Sequence, residues 1–111
     1  MTKILILSLL FALTSCFRNS NICEIDNVDR NITREIFIHK YEKPKSSSTI
    51  NPNTTKLYEY RYPLSFLKGK VNNVKEDIWT CNDKSIYLWF QFIDGEYIYY
   101  DHLIWKNNYQ Y

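Results

Sequence analysis

Ser85-Ile86-Tyr87-Leu88-Trp89-Phe90-Gln91-Phe92-Ile93 and Glu96-Tyr97-Ile98-Tyr99-Tyr100-Asp101-His102-Leu103-Ile104-Trp105 flank Asp94-Gly95. Two runs of β-branched and aromatic residues joined by Asp-Gly are the strongest short-range mark of a hairpin, because a type I′ turn needs positive φ at both central positions. A two-residue register sets Phe92 opposite Tyr97, Phe90 opposite Tyr99 and Ile86 opposite Leu103. These pairs share a face with Leu88 and are the expected core. Asp101 falls opposite Leu88, where a carboxylate fits poorly. Tyr87, Trp89, Ile98, Tyr100, His102 and Ile104 take the other face. Both faces are apolar or aromatic, so the hairpin is expected either at the centre of a layered fold or as an aromatic sheet offered to a partner.

Upstream, Lys56 to Tyr62 alternates, with Tyr58, Tyr60 and Tyr62 on one side and Leu57, Glu59 and Arg61 on the other. This reads as a half-exposed strand stopped by Pro63. Leu64, Phe66 and Leu67 supply core material, and Lys68-Gly69-Lys70 turns the chain. Val71 to Thr80 fits a short helical turn or a loop. Ile32 to Tyr41 reads as a strand, with Ile36 and Ile38 on one face and Phe37, His39 and Tyr41 on the other. Glu42 to Thr55, with Pro44, three serines and Asn51-Pro52-Asn53, reads as a long mobile connection. The tail from Asn107 is expected to fray. Several strands and no convincing amphipathic helix predict an all-β domain over residues 31–111. A small antiparallel β-sandwich of immunoglobulin-like type is the first choice and a compact barrel the second.

At the other end, Lys3 precedes an apolar run from Ile4 to Leu13 interrupted only by Ser8. Such a run spans roughly 15 Å as a helix, half of the ~30 Å hydrocarbon core. It therefore reads as a secretory signal peptide over residues 1–15. Its closing residues, Leu13-Thr14-Ser15-Cys16, resemble the bacterial lipobox. That resemblance implies cleavage before Cys16, a diacylglyceryl group on its thiol and insertion of its acyl chains in a lipid membrane. Phe17 follows, rather than the aspartate of inner-membrane retention, so the expected address is the periplasmic face of an outer membrane. Residues 16–30 then form the lipidated N-terminus and tether. With Cys16 acylated, Cys23 and Cys81 remain, and an even pair in an exported chain reads as one disulfide. The alternative is two buried thiols.

Lys3 leaves with the signal, so fourteen basic residues become thirteen against twelve acidic. A near-neutral chain lacks the basic footprint of a nucleic-acid binder. Two glycines, Gly69 and Gly95, make no phosphate-cradling loop. Asp94 and Glu96 belong to a turn, Glu76 and Asp77 to a polar stretch, and His39 and His102 to sheet surfaces. Hence no enzyme, no cofactor and no metal site is expected. Tyrosines carry more: Tyr58, Tyr60 and Tyr62 form one stripe, and Tyr87, Trp89 and Tyr100 another. Tyr and Trp give large contact area at low conformational cost. One stripe is expected buried and the other exposed, and Tyr58, Tyr60, Tyr87, Trp89 and Tyr100 are the candidate partner-binding residues.

The layout is similar to that of type VI secretion immunity periplasmic lipoproteins. The likeness rests on Leu13-Thr14-Ser15-Cys16, Asn21-Ile22-Cys23, Glu35-Ile36-Phe37-Ile38, Tyr60-Arg61-Tyr62-Pro63-Leu64 and the late aromatic strands. It implies a lipoprotein that binds and neutralises a protein effector or toxin without catalysis. A second likeness, in Trp79-Thr80-Cys81-Asn82-Asp83-Lys84, is to the opening of membrane-bound lysozyme inhibitors, whose inhibitory loop has no counterpart here. The rival reading is a structural or assembly lipoprotein of the envelope.

Overall fold

The computed structural model describes residues 21–106, so Cys16, the signal segment, the start of the tether and the tail from Asn107 lie outside the described residues. Asp94 and Gly95 take positive φ, 50° and 83°, and close the expected hairpin between β3 (Lys84–Ile93) and β4 (Glu96–Lys106). β2 (Val74–Thr80) and β1 (Ser46–Ile50) complete one antiparallel sheet in the order β1-β2-β3-β4. The antiparallel all-β domain expected from the hairpin is what forms. Among the described residues its sheet is covered on both faces by helical segments, not by a second sheet.

The hairpin register departs from the simple one at a single place. Phe92 and Phe90 oppose Tyr97 and Tyr99 as expected, but Trp89 opposes Asp101, so Tyr100 is an extra residue in β4. This bulge resolves the misfit of Asp101. The carboxylate leaves the Leu88 face, and its Oδ1 accepts from the His102 amide at 2.8 Å. Beyond the bulge every side chain of β4 changes face. Ile104, not Leu103, opposes Ile86, and Leu103 lies on the Trp89 side.

Four upstream expectations are corrected. Ile32 to Tyr41 is no strand: Arg34–Lys40 is helix α1, capped by Thr33, whose Oγ1 accepts from the Ile36 amide at 3.3 Å. Glu35 in its first turn and Lys40 in its last suit the helix dipole. Glu42 to Thr55 is no free connection, because it contains β1. That strand pairs with β2 through its backbone and buries only Ile50, so its serines give no apolar signal. A short polar strand also makes a poor template for edge-to-edge aggregation. Val71 to Thr80 is neither a helical turn nor a loop but holds the central strand β2, whose polar Glu76 and Asp77 are both buried.

The fourth correction concerns the tyrosine stretch. Glu59–Leu67 is a 3-10 helix, not a strand, and Pro63 sits inside it, since the ring's fixed φ suits that geometry. The 3-10 period of three brings Arg61, Leu64 and Leu67 to one side. Leu64 and Leu67 are buried, and Arg61 reaches the carboxylate of Glu76. Phe66, expected in the core, falls between these positions and is exposed.

Two cores result. On one face Ile22, Ile25 and Phe37 pack on Trp79, Ile86, Leu88 and Phe90. On the other Ile50, Leu64 and Leu67 pack with Val74 and Trp89. Cys23 and Cys81 are joined as expected, with their Cα atoms 5.9 Å apart across a separation of 58 residues. The bond fastens the 3-10 turn Ile22–Glu24 to the chain just after β2.

Candidate functional site

The side of the sheet beneath the 3-10 helix Glu59–Leu67 gathers most of the sequence-predicted binding residues. Adjacent residues on a strand point to opposite faces, so Glu76 turns toward this helix and Asp77 toward α1. Arg61 grips Glu76 in a fork, Nε to Oε2 at 3.1 Å and Nη2 to Oε1 at 2.9 Å. The Trp89 indole N–H donates to the same Oε2 at 2.9 Å. Hydrogen bonding to Glu76 is the main reason the Arg61 guanidinium lies above its usual range. On the opposite face Arg34 holds Asp77 in the same way, with Nη2 3.2 Å from Oδ1. Each cover is thus pinned to β2 by one charged fork.

Above this anchor lies an aromatic cluster. Tyr60 stands 4.9 Å from Tyr87, centroid to centroid, and the Arg61 guanidinium lies 5.2 Å over the Tyr60 ring. Tyr100, displaced by the bulge, donates to the Pro63 carbonyl at 2.7 Å. Burial raises the phenol pKa of both Tyr60 and Tyr100. Carboxylates add to the effect, Glu76 at Tyr60 and Asp101 at Tyr100. Tyr58, Tyr62 and Phe66 point outward, 61%, 59% and 61% exposed, and the last two rings meet edge to face at 5.6 Å.

The five sequence candidates therefore separate. Tyr58 is on the surface; Tyr60, Tyr87 and Tyr100 are half-buried in one cluster; Trp89 is wholly buried beneath them and supports the surface without belonging to it. Tyr62 and Phe66 were not among the candidates. Reading Glu59 to Leu67 with period three instead of two would have found them, because Arg61, Leu64 and Leu67 then fall together and leave Tyr62 and Phe66 outside. No protein-family model, curated protein or solved structure matches the chain.

The histidines line different cavities. His39, expected on a sheet surface, belongs to helix α1 and faces a cavity shared with the hairpin turn, whereas His102, on β4, borders a cleft with Asn27, Arg30 and Asp101 and meets the Tyr99 hydroxyl at 2.6 Å. Among the described residues no group of three or more His, Cys, Asp or Glu is placed to hold a metal ion. What the tyrosine side offers is recognition chemistry: large flat rings, amphipathic at the tyrosines, beside and on a helix that the Arg61–Glu76 fork ties to the sheet.

Proposed function

We propose that this chain is an envelope lipoprotein, held by acylated Cys16 at the periplasmic face of the outer membrane, whose β domain binds and neutralises a protein effector. The single observation that carries the binding role is the outward, edge-to-face pair Tyr62 and Phe66 on a helix clamped to the sheet through Arg61 and Glu76, with exposed Tyr58 just before its first residue. Large aromatic rings on rigid supports are the typical anchors of protein interfaces. Neutralisation works by occlusion, with no bond made or broken: the aromatic surface covers the effector's active or docking site. Tyr60, Tyr87 and Tyr100 back that surface. The lipobox and the disulfide suit an oxidising extracytoplasmic compartment.

The test is capture of the host's secreted and envelope proteins by the full, membrane-anchored chain, read by mass spectrometry. Recovery of one secreted effector in fixed stoichiometry supports the proposal, provided Tyr62→Ala with Phe66→Ala weakens it roughly tenfold or more. Both side chains are exposed, so the fold should survive, and an unchanged thermal midpoint checks that. Recovery of envelope assembly proteins instead would transfer the chain to the structural reading. Cys16→Ala should abolish lipid labelling and release the chain from membranes; membrane retention equal to that of the parent chain would remove the anchor from the proposal.

A further inference from the structure

Where the 3-10 helix begins, it leaves a slot of about 220 Å³ lined by Glu59, Tyr60, Tyr87 and Trp105. Three of the lining residues are aromatic and one is acidic. Tyr87 opposes Leu103, so Trp105, two residues further along β4, is its diagonal neighbour on the same face of the sheet. Tyr60 comes from the helix above, its ring tilted 43° to that of Tyr87. Glu59 has φ 58°, a left-handed backbone that a residue with a β-carbon adopts only when its surroundings demand it. Such residues gather at ligand clamps and active sites.

We propose that this slot receives the cationic head of an arginine or lysine side chain presented by the protein partner. The inference rests on the binding role above and names the chemistry of the contact. Aromatic faces carry the negative part of the ring quadrupole and attract organic cations. Tyr60 already does so within the chain, with the Arg61 guanidinium over its ring. That guanidinium is matched by Glu76 through two hydrogen bonds, whereas Glu59 forms no ion pair among the described residues. The volume suits one side-chain head rather than a larger organic ligand. A planar guanidinium, which stacks on rings as well as pairing with a carboxylate, fits better than an ammonium.

The probe is N-acetyl-arginine methylamide, with the neutral N-acetyl-citrulline methylamide as its isostere, titrated into the full chain and followed by NMR. Trp79 and Trp89 are buried, so the indole signal of Trp105, 39% exposed, stands apart as a reporter. Saturable shifts at Trp105, Tyr60 and Tyr87 with the arginine probe, weakened about fivefold in Glu59→Gln, are expected. Equal shifts with citrulline, or none with either probe, would overturn the cation site. Glu59 is exposed, so its substitution should leave the fold intact. In the capture experiment, Glu59→Gln should lower partner affinity by a similar factor. Capture unchanged by that substitution overturns the inference while the binding role survives. No capture by the parent chain, with the arginine probe still bound, overturns the binding role and leaves the slot as a cation site.

Discussion

Glu76 shows how one residue can hide a strand in a sequence and hold it in a structure. A carboxylate that is 1% exposed is tolerable only because Arg61 and the Trp89 indole saturate it. Glu76→Gln keeps an acceptor for Trp89 but turns an amide N–H₂ toward the guanidinium, so donor meets donor. Arg61 keeps partial contact with solvent, which softens the loss. The expected cost is about 2–4 kcal/mol in urea unfolding. A cost below about 0.5 kcal/mol, the level of an ordinary surface substitution, would mean that the fork does not anchor the helix. Tyr99 gives a second prediction at this scale, in alkali. Burial first, and then the Asp101 carboxylate, push its phenol up to about 12, against a smaller opposing effect of Arg30. The unfolded chain releases this proton near pH 10 and the folded chain near 12. Between those values the folded state binds more protons, so stability falls as pH rises. Its contribution is complete below pH 10 and gone above about 12. Tyr99→Phe should flatten the decline of the urea midpoint across that window. A slope equal to the parent's would show that Tyr60 and Tyr100, also raised, account for it instead.

Among the elements, the bulge in β4 is the one with an evident task. It carries Tyr100 to the Pro63 carbonyl and so ties the sheet edge to the 3-10 helix. Nine residues are long for a 3-10 helix, whose hydrogen bonds are poorly aligned, so tertiary contacts must hold it. Tyr100→Phe removes only the hydroxyl and should cost about 1 kcal/mol. Amide hydrogen exchange should quicken in residues 59–67 more than in α1; uniform acceleration would show that Tyr100 stabilises the sheet generally and not this helix. The same elements mark how far the sequence could be read. The hairpin was legible because Asp94-Gly95 and two long aromatic runs are local signals of one kind. The helix Arg34–Lys40 was not, since Ile36, Phe37 and Ile38 favour strands and only a distant sheet supplies the surface on which Phe37 is buried. Tyr58, Tyr60 and Tyr62 imitated alternation in a segment whose actual period is three. β1 was invisible because its partner is a backbone. At the site, the aromatic composition was legible and its exposure was not: which tyrosines face water depends on where Arg61 and Glu76 meet.

For the molecule as a whole, the central problem is a sheet with an apolar core on each face. The described residues solve it with two small covers, each only a few turns long. Glu76 and Asp77 take opposite faces of one strand and hold one cover apiece. The cover built on Ile22, Ile25 and Phe37 has a further fastening, the Cys23–Cys81 bond, and this asymmetry yields a prediction. The turn Ile22–Glu24 is three residues long and contributes little helical stability of its own. A cross-link spanning 58 residues is worth roughly 4 kcal/mol in the chain-entropy model. A small domain has only about 0.05–0.15 kcal/mol of net stability per residue, so that bond is a large share of the total. Replacing both Cys23 and Cys81 by serine should lower the urea midpoint strongly and raise the m-value, because the unfolded chain then exposes more surface. The loss should begin locally. Ile25 and its neighbours should exchange amide hydrogens faster than Leu64 and Leu67, which stay under the Arg61–Glu76 fork. A midpoint equal to the parent's would show that Ile22 and Phe37 hold that cover by packing alone. Simultaneous loosening of both covers would show instead that the two faces unfold as one unit, with the central strands β2 and β3 coupling them.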